Sequence, residues 1–412
     1  MRFRDSFLLT LFSQGILLIS GFLNGVLITR NLGTVGRGEY AMIIFMVTIL
    51  LVILGEGLYR SNIYLTSRDK SEKNLSQSGA NLLFYNAVIL SLFLILILLP
   101  EKWYSFFLPG IKPFYVYVGF GSALFFIFLR QLQGFYLGLQ KYWHYNLFNV
   151  LPVLLFFLLN LISLALYGSL TTRMVLINYM TGMILTATGA AFSYFKIHRI
   201  QFHLGATLLK ENFKTSWRAT LAYLLVFLMV RMNVYIVNYW HGLAEAGLFA
   251  VAVNLSTLIQ QVPNVACSVL LPRVSEKETA NKLILTGKVA VISFAVSALA
   301  AAIFYIAGER LLVFLYKKDF AASFAPLAWL LPGIILFSVT SIYNTVLWGR
   351  GFPPVSIWVP LISVVTDLIL CYFLIPLHGI VGAAQASTVS FVVYSIIILS
   401  YIFLNRKQLN AA

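Results

Sequence analysis

Apolar blocks about as long as a membrane helix recur along almost the whole chain. A helix needs about 20 consecutive apolar residues to cross the hydrocarbon core of a bilayer, and the run LVFLMVRMNVYIV from Leu225 to Val237 belongs to one such block. The 412 residues are 60% hydrophobic and only 10% charged, whereas soluble domains contain about 25% charged residues. The sequence therefore predicts an all-α, polytopic membrane protein.

The apolar blocks predict twelve transmembrane helices. Their approximate positions are residues 7–29, 40–65, 81–99, 114–138, 144–167, 174–193, 217–239, 246–270, 283–307, 325–348, 354–375 and 380–404. The N-terminal stretch MRFRDSFLLTLFSQGILLISG has the basic start of a signal peptide. Its apolar run is too long for one, and no A-x-A cleavage site follows it, so we expect an uncleaved first span.

The basic residues predict the orientation in the membrane. An even number of spans places both termini on one side, and Lys and Arg are about twice as frequent on that side as on the other. Cytoplasmic loops carry the excess of Lys and Arg, so we expect a multi-pass protein with both termini in the cytoplasm. Much of the net charge of +16 is then a topology signal, and we predict no nucleic-acid partner.

The two halves of the chain carry similar loop sequences. LGTVGRGEYA and HGLAEAGLFA align at Gly33 and Gly242, and YLGLQKY and LWGRGF align at Gly138 and Gly349. The two offsets are nearly equal and close to half the chain length, which indicates a duplicated six-span unit of the kind found in transporters. The predicted domains are residues 1–195 and 217–412, joined by a basic cytoplasmic linker at 196–216.

The sequence lacks the motifs of common nucleotide-binding and zinc sites. The sequence contains neither the phosphate-binding pattern G-x-x-x-x-G-K-[ST] nor the zinc pattern H-E-x-x-H, and its five histidines are scattered. We therefore predict a transporter rather than an enzyme, with no cofactor and no metal site. A membrane glycosyltransferase or polysaccharide polymerase remains an alternative, although its expected acidic outer loop would have to lie at 308–324, which is mostly apolar.

Charged residues inside the predicted spans are the candidate functional groups. A central arginine costs roughly 2.5–3.5 kcal/mol on insertion scales, so such residues face a bundle interior or a wet cavity. Arginine suits bidentate binding of phosphate. The candidates for a cationic cavity that binds an anionic substrate are Arg231, Arg130 and Arg60, and the candidates for ion coupling are Asp367 and Glu56.

Each of these charges also has a structural explanation. Glu56 precedes Arg60 by four residues, so the two can form an ion pair on one helix face. Arg130 lies in the inner half of its span and can extend toward the headgroups. Arg231 and Asp367 lie near the middle of their spans and can form a buried ion pair. We expect Arg231 to face a cavity, with Asp367 as its resting partner.

The first span adds polar and small residues to the candidate site. Gln14 and Asn24 are candidate cavity residues, and Gly21 and Gly25 form a G-x-x-x-G pattern. This pattern is typical of closely packed membrane helices. We expect the span to pack on one side and to line a cavity on the other.

Two stretches resemble a known family. SQGILLISGFLNGVLITRNLGTVGRGEYA resembles the start of polysaccharide transport proteins, and the I-P-x-x-G-I-x-G-A-A element at 375–384 is similar to their last spans. These proteins are the O-antigen and lipid-linked oligosaccharide flippases of the multidrug/oligosaccharidyl-lipid/polysaccharide (MOP) exporter superfamily. The resemblance extends over nearly the whole chain. It implies two pseudo-symmetric six-helix lobes around a central cavity.

The resemblance also implies a function. The expected substrate is an oligosaccharide linked through diphosphate to a polyprenol, flipped to the outer leaflet of a bacterial or archaeal cell membrane. Coupling to a proton or sodium gradient is expected, as are polysaccharide polymerase and chain-length machinery as partners. An ion-coupled multidrug or small-solute antiporter of the same fold is the alternative. The first span has no acid beyond Asp5, which disfavours a drug exporter, and the two further spans of lipid II flippases are missing.

Overall fold

The chain is helical throughout the residues that the structure describes. The computed structural model describes residues 3–197, 206–261, 263–267, 270, 282–348 and 353–406, and these ranges contain no strand. The helices are α1 (Phe3–Leu51), α2 (Gly57–Arg68), α3 (Glu72–Ile97), α4 (Glu101–Phe107), α5 (Pro113–Gly138), α6 (Tyr142–Tyr167), α7 (Thr172–Ile197), α8 (Ala206–Leu258), α9 (Lys282–Tyr316), α10 (Phe324–Trp348) and α11 (Val355–Leu404). One π-helical turn, Val52–Glu56, joins α1 to α2.

The predicted number of spans is confirmed. Within the described ranges, nine helical segments are long and apolar enough to cross a bilayer. Three of them contain a residue with non-helical dihedral angles, which is Gly33 in α1, Gly242 in α8 and Gly379 in α11. Dividing each of these three segments at its glycine gives twelve spans. The protein is therefore a multi-pass membrane protein of the predicted all-α class.

Two of these glycines have almost the same backbone conformation. Gly33 has φ 66° and ψ −174°, and Gly242 has φ 82° and ψ −178°. Only glycine adopts this region readily. The two loops that the sequence aligns therefore turn the chain in the same way, which supports the proposed duplication at this position. The second alignment stays a prediction, because Gly349 lies outside the described residues.

The chain forms two compact units, Met1–Leu224 and Leu225–Ala412. The division falls inside α8, so the first nineteen residues of this helix, 206–224, belong to the first unit. Residues 198–205 of the predicted linker 196–216 lie outside the described residues. The described end of that linker is the helical start of α8.

Each unit has its own apolar core. In the first unit, α5 and α7 pack together through buried side chains that include Leu132, Phe135, Ala187 and Tyr194. In the second unit, Ala290 of α9 packs against Ile342 and Val346 of α10. These helices are apolar around most of their circumference, as expected for segments in contact with both protein and lipid.

A short loop connects α2 to α3. The Ser71 hydroxyl accepts a hydrogen bond from the Asn74 N–H at 3.3 Å and caps α3. The Ser71 N–H donates to Asp69 Oδ1 at 2.9 Å. This hydrogen bond holds the pKa of Asp69 below its usual value.

Candidate functional site

A cluster of three charged side chains lies inside the first unit. Arg130 of α5 donates from Nε to Glu56 Oε2 at 3.0 Å and from Nη2 to Oε1 at 3.2 Å. Arg60 of α2 donates from Nη2 to the same Oε1 at 3.3 Å. One carboxylate thus serves two guanidinium groups, and the Glu56–Arg60–Arg130 cluster has an excess of one positive charge.

The π-helical turn places Glu56 at this point. It ends at Glu56, and α5 packs against it closely enough that a Cβ on Gly55 would lie 3.5 Å from Ile127. A π turn inserts one extra residue into a helix and often occurs at functional sites. Gln133 then orients Arg130, because its Oε1 accepts from Arg130 Nη1 at 3.2 Å while its Nε2 donates to the Phe148 carbonyl at 2.9 Å.

Two tyrosine rings cover the guanidinium groups. The ring centroid of Tyr59 lies 3.8 Å from Arg130 Cζ, and that of Tyr223 lies 4.0 Å from Arg60 Cζ. The side chains of Arg60 and Arg130 nevertheless retain 33% and 22% of their accessible surface. The cluster is therefore held in place by aromatic contacts that cover it only in part.

The sequence predicted only part of this cluster. The ion pair between Glu56 and Arg60 is confirmed at 3.3 Å. The structure also joins Arg130 to Glu56, a contact across 74 residues that helical spacing does not reveal. Sequence reasoning missed Tyr59 and Tyr223 altogether, since an aromatic residue in a membrane span carries no signal of its own.

Asn24 belongs to a buried amide ladder inside the first unit. Its Oδ1 accepts from Asn160 Nδ2 at 2.9 Å, and Asn160 Oδ1 accepts from Asn178 Nδ2 at 3.0 Å. Asn178 also donates to Ser163 Oγ at 2.9 Å. Asn24 and Asn160 are buried. This predicted cavity residue therefore lies in the packing between α1, α6 and α7.

The side of α1 that carries Gly15, Gly21 and Gly25 is open. This corrects the expectation of close helix packing there. A Cβ added at Gly15, Gly21 or Gly25 would meet no atom within 4 Å. Among the described residues, no neighbour packs closely on the G-x-x-x-G pattern, whereas Ser20 and Asn24 lie on the buried side of this helix. Gln14 is exposed.

Asp367 is part of a polar cluster in the second unit. Asn233 of α8 donates from Nδ2 to Asp367 Oδ1 at 3.0 Å and to Ser387 Oγ at 2.7 Å, with the Ala383 carbonyl at 3.4 Å. The Cys371 thiol donates to Asn233 Oδ1 at 3.2 Å. Asp367 is only 2% exposed, so its carboxylate lies among neutral groups inside the unit.

The expected pairing of Arg231 with Asp367 is wrong. Arg231 Nη1 donates to Asn254 Oδ1 at 2.7 Å, and both residues belong to α8 on either side of the break at Gly242. No ion pair joins Arg231 to Asp367 in the described part of the chain. Asn233, two residues after Arg231, lies on the helix face that contacts α11 and so takes the place that Arg231 was expected to occupy.

These features define the class of this chain. It is a twelve-span membrane protein with polar clusters buried inside two helical units. Residues 3–278 match the model of a family described as polysaccharide biosynthesis protein. The chain belongs to this family. No curated protein matches the chain by sequence.

Solved structures share the fold. Lipid II flippase MurJ in an inward closed conformation has a TM-score of 0.79 at 14% identity, covering 96% of this chain and 87% of that one. An inward-facing multidrug resistance MATE family transporter of the MOP superfamily has a TM-score of 0.75 at 14% identity, covering 98% of both chains. A MOP superfamily transporter from Pyrococcus furiosus has a TM-score of 0.70 at 13% identity, covering 98% of this chain and 94% of that one.

Proposed function

We propose that the chain is a flippase for a polyprenyl-diphosphate-linked oligosaccharide, such as an O-antigen or another surface polysaccharide repeat unit. It carries the sugar head group from the cytoplasmic to the outer leaflet by alternating access. Its location is the cytoplasmic membrane of a bacterium or archaeon, with both termini in the cytoplasm. The family description, polysaccharide biosynthesis protein, supports the sugar class, and the Glu56–Arg60–Arg130 cluster supports the diphosphate.

One observation carries the proposal, which is that two guanidinium groups already converge on a pair of carboxylate oxygens. Arg130 binds Glu56 through two parallel hydrogen bonds and Arg60 adds a third. The same donors can bind the oxygens of a phosphate, which arginine holds in bidentate geometry. A diphosphate brings more negative charge than Glu56 and can balance both arginines once it has displaced the carboxylate. In the proposed mechanism it displaces the carboxylate from one or both arginines.

Further residues contribute to the proposed transport. Arg231 of the second unit remains a candidate substrate-binding residue, and Gln14 is exposed beside the open face of α1, where it suits sugar hydroxyls. Asn24 has its hydrogen bonds inside the first unit, so we assign it to packing. The polyprenyl chain stays in the bilayer. The flipped lipid is then the substrate of polysaccharide polymerase and chain-length machinery.

We further propose that Asp367 couples transport to a proton or sodium gradient. Its carboxylate is buried and receives its hydrogen bond from a neutral amide, so a cation or a proton can neutralise it. Ser387 Oγ and the Ala383 carbonyl approach the same amide nitrogen. Oxygen atoms from these three residues converge on Asn233 Nδ2, so a hard cation, which prefers oxygen ligands, would bind them by displacing this amide.

The buried carboxylate also favours a second candidate function, an ion-coupled multidrug or small-solute antiporter. Acids inside the membrane are typical of ion and proton pathways. The two candidates differ in the charge of the cargo. The Glu56–Arg60–Arg130 cluster is cationic overall, which favours an anionic cargo and therefore the flippase.

The test is a flipping assay with lipids that differ only in their linkage. The purified chain is reconstituted into liposomes with a fluorescent polyprenyl-diphosphate disaccharide, and dithionite quenching reports the leaflet that the lipid occupies. The controls are the same disaccharide on a neutral ether linkage and a cationic dye in a transport assay. Flipping of the diphosphate lipid alone is the expected result. Dye transport without lipid flipping would establish the antiporter and overturn the flippase.

A further inference from the structure

The first part of α8 lies against α2 at the end of the second span. Ser61 Oγ and Asn212 Oδ1 form a buried hydrogen bond of 2.5 Å. About two helical turns further along α2, Arg68 Nη1 lies 3.7 Å from Glu211 Oε1. By the topology that the basic residues predict, these contacts are on the cytoplasmic side. They connect the second span to the segment that leads into the seventh.

Small residues allow these two helices to approach closely. A Cβ on Gly57 would overlap Thr220 Oγ1 and would lie 2.9 Å from Ser216 Cβ. Gly57 and Ser61 are four residues apart on α2, and Asn212, Ser216 and Thr220 follow each other at the same spacing on α8. Residues four apart share one helix face, so the contact is a small-residue interface of the type seen between membrane helices.

The interface is polar and incompletely packed. A small, partly open pocket lies beside Asn212 and is lined by seven further residues of α2, α3 and α5. They are Leu58, Asn62, Ser78, Asn81, Leu82, Tyr85 and Gln131. The Gln131 Nε2 atom is buried and has no hydrogen-bond partner among the residues that the structure describes. A helix contact made by small polar side chains can exchange its hydrogen bonds for bonds to water, so it separates more easily than a dry apolar contact of the same size.

The same segment covers one arginine of the cluster. Tyr223 lies at the end of 206–224, and its ring stacks over the Arg60 guanidinium with 4.0 Å between centroid and Cζ. The helix then continues as LLVFLMV to Arg231 without a glycine or proline. A helix without such a residue has little tendency to kink, so a movement of the seventh span would carry Tyr223 with it.

We propose that residues 206–224 form a reversible clasp on α2, which in its closed state covers Arg60 and keeps Glu56 in place as the counter-ion. Release of the clasp uncovers Arg60 so that the diphosphate of the lipid can displace the carboxylate. The clasp regulates the substrate site of the proposed function and rests on that function. Its contacts are polar and small, and one helix joins it to the seventh span, so opening and transport are coupled.

The first experiment measures opening without any substrate. Ser61→Cys and Thr66→Cys are made separately and treated in native membrane vesicles with a water-soluble maleimide, and the unmodified chain corrects for Cys267 and Cys371. Both side chains are buried on α2, but Ser61 faces the clasp whereas Thr66 faces Gly138 of α5. We expect Ser61→Cys to react with the maleimide about tenfold faster or more. The reason is that the clasp, which covers Ser61, opens, whereas the contact of α2 with α5 does not. Equal protection of the two cysteines would overturn the clasp.

The second experiment closes the clasp covalently. The double variant Ser61→Cys/Asn212→Cys is oxidised with copper phenanthroline and tested in the diphosphate-lipid flipping assay, then reduced and tested again. We expect the oxidised protein to lose flipping by about tenfold or more and the reduced protein to regain it. Undiminished flipping in the cross-linked state would overturn the proposal. If the unmodified chain flips no lipid, the proposed function fails while the labelling result still decides whether the clasp opens.

Discussion

Arg130 and Glu56 are joined by two hydrogen bonds, at 3.0 Å from Nε and 3.2 Å from Nη2, across two transmembrane helices. The fork geometry is the one that guanidinium uses for carboxylate and for phosphate. Glu56 therefore has two roles in this account. It compensates the charge of the arginines in the resting protein, and it occupies the place that the substrate diphosphate takes during transport.

The first prediction concerns the energy of this ion pair. Removing one partner of a buried pair leaves the other charge uncompensated, which costs about 3–5 kcal/mol. We expect Glu56→Ala to destabilise the protein by about 3 kcal/mol, as measured by thermal unfolding in detergent. The double variant Glu56→Ala/Arg130→Ala should lose clearly less than the sum of the two single variants. Additive losses would show that the two side chains do not interact.

The amide ladder gives a second prediction. Asn160 makes two hydrogen bonds to other helices, to Asn24 and from Asn178. Side-chain hydrogen bonds between membrane helices contribute about 0.6 kcal/mol on average, so Asn160→Ala should destabilise the fold by about 1–2 kcal/mol. The control is Asn31→Ala, because Asn31 bonds only within its own helix, to the Leu27 carbonyl. If both variants unfold at the same temperature, the ladder does not hold the helices together.

Two glycine substitutions should have opposite effects. Gly242 has φ 82°, a conformation that costs other residues on the order of 1–3 kcal/mol. Gly25 is helical and has open space around its Cβ position, where alanine stabilises a helix by roughly 0.5–1 kcal/mol. We therefore expect Gly242→Ala to lower the unfolding temperature and Gly25→Ala to leave it unchanged or raise it. A loss of stability in Gly25→Ala would instead indicate that a neighbouring helix packs closely on the G-x-x-x-G pattern.

The fold followed from the sequence because its signals are local. The apolar lengths predict the spans, the glycine at positions 33 and 242 predicts equivalent turns, and the four-residue spacing predicts the pair of Glu56 and Arg60. Contacts between distant helices have no such signal. Arg130 reaches Glu56 only because α5 packs against the π-helical turn. Asp367 is reached by Asn233 rather than by Arg231, since helix rotation decides which of two nearby residues faces α11.

Ion coupling gives a fourth prediction. Asp367→Asn removes the charge and keeps the shape, and its neighbour Asn233 can still form a hydrogen bond with the new side chain. We expect this variant to fold normally but to lose the stimulation of flipping by a sodium or pH gradient. The matched control is Asp319→Asn, which changes an exposed residue in the short segment Lys318–Ser323. Full stimulation in Asp367→Asn would place the coupling group elsewhere, and loss of stimulation in both variants would point to a nonspecific effect of charge.

The most direct test of the account compares arginine variants in the diphosphate-lipid flipping assay. A hydrogen bond to a charged group contributes about 1.5–3 kcal/mol, so Arg130→Ala should lower the flipping rate per folded molecule by about 10- to 100-fold. Arg130→Lys should recover only part of the rate, because a point charge lacks the fork geometry. Arg173→Ala, which removes an exposed arginine over Phe114, should flip normally. Wild-type flipping by a well-folded Arg130→Ala protein would contradict the proposal that the Glu56–Arg60–Arg130 cluster binds the diphosphate.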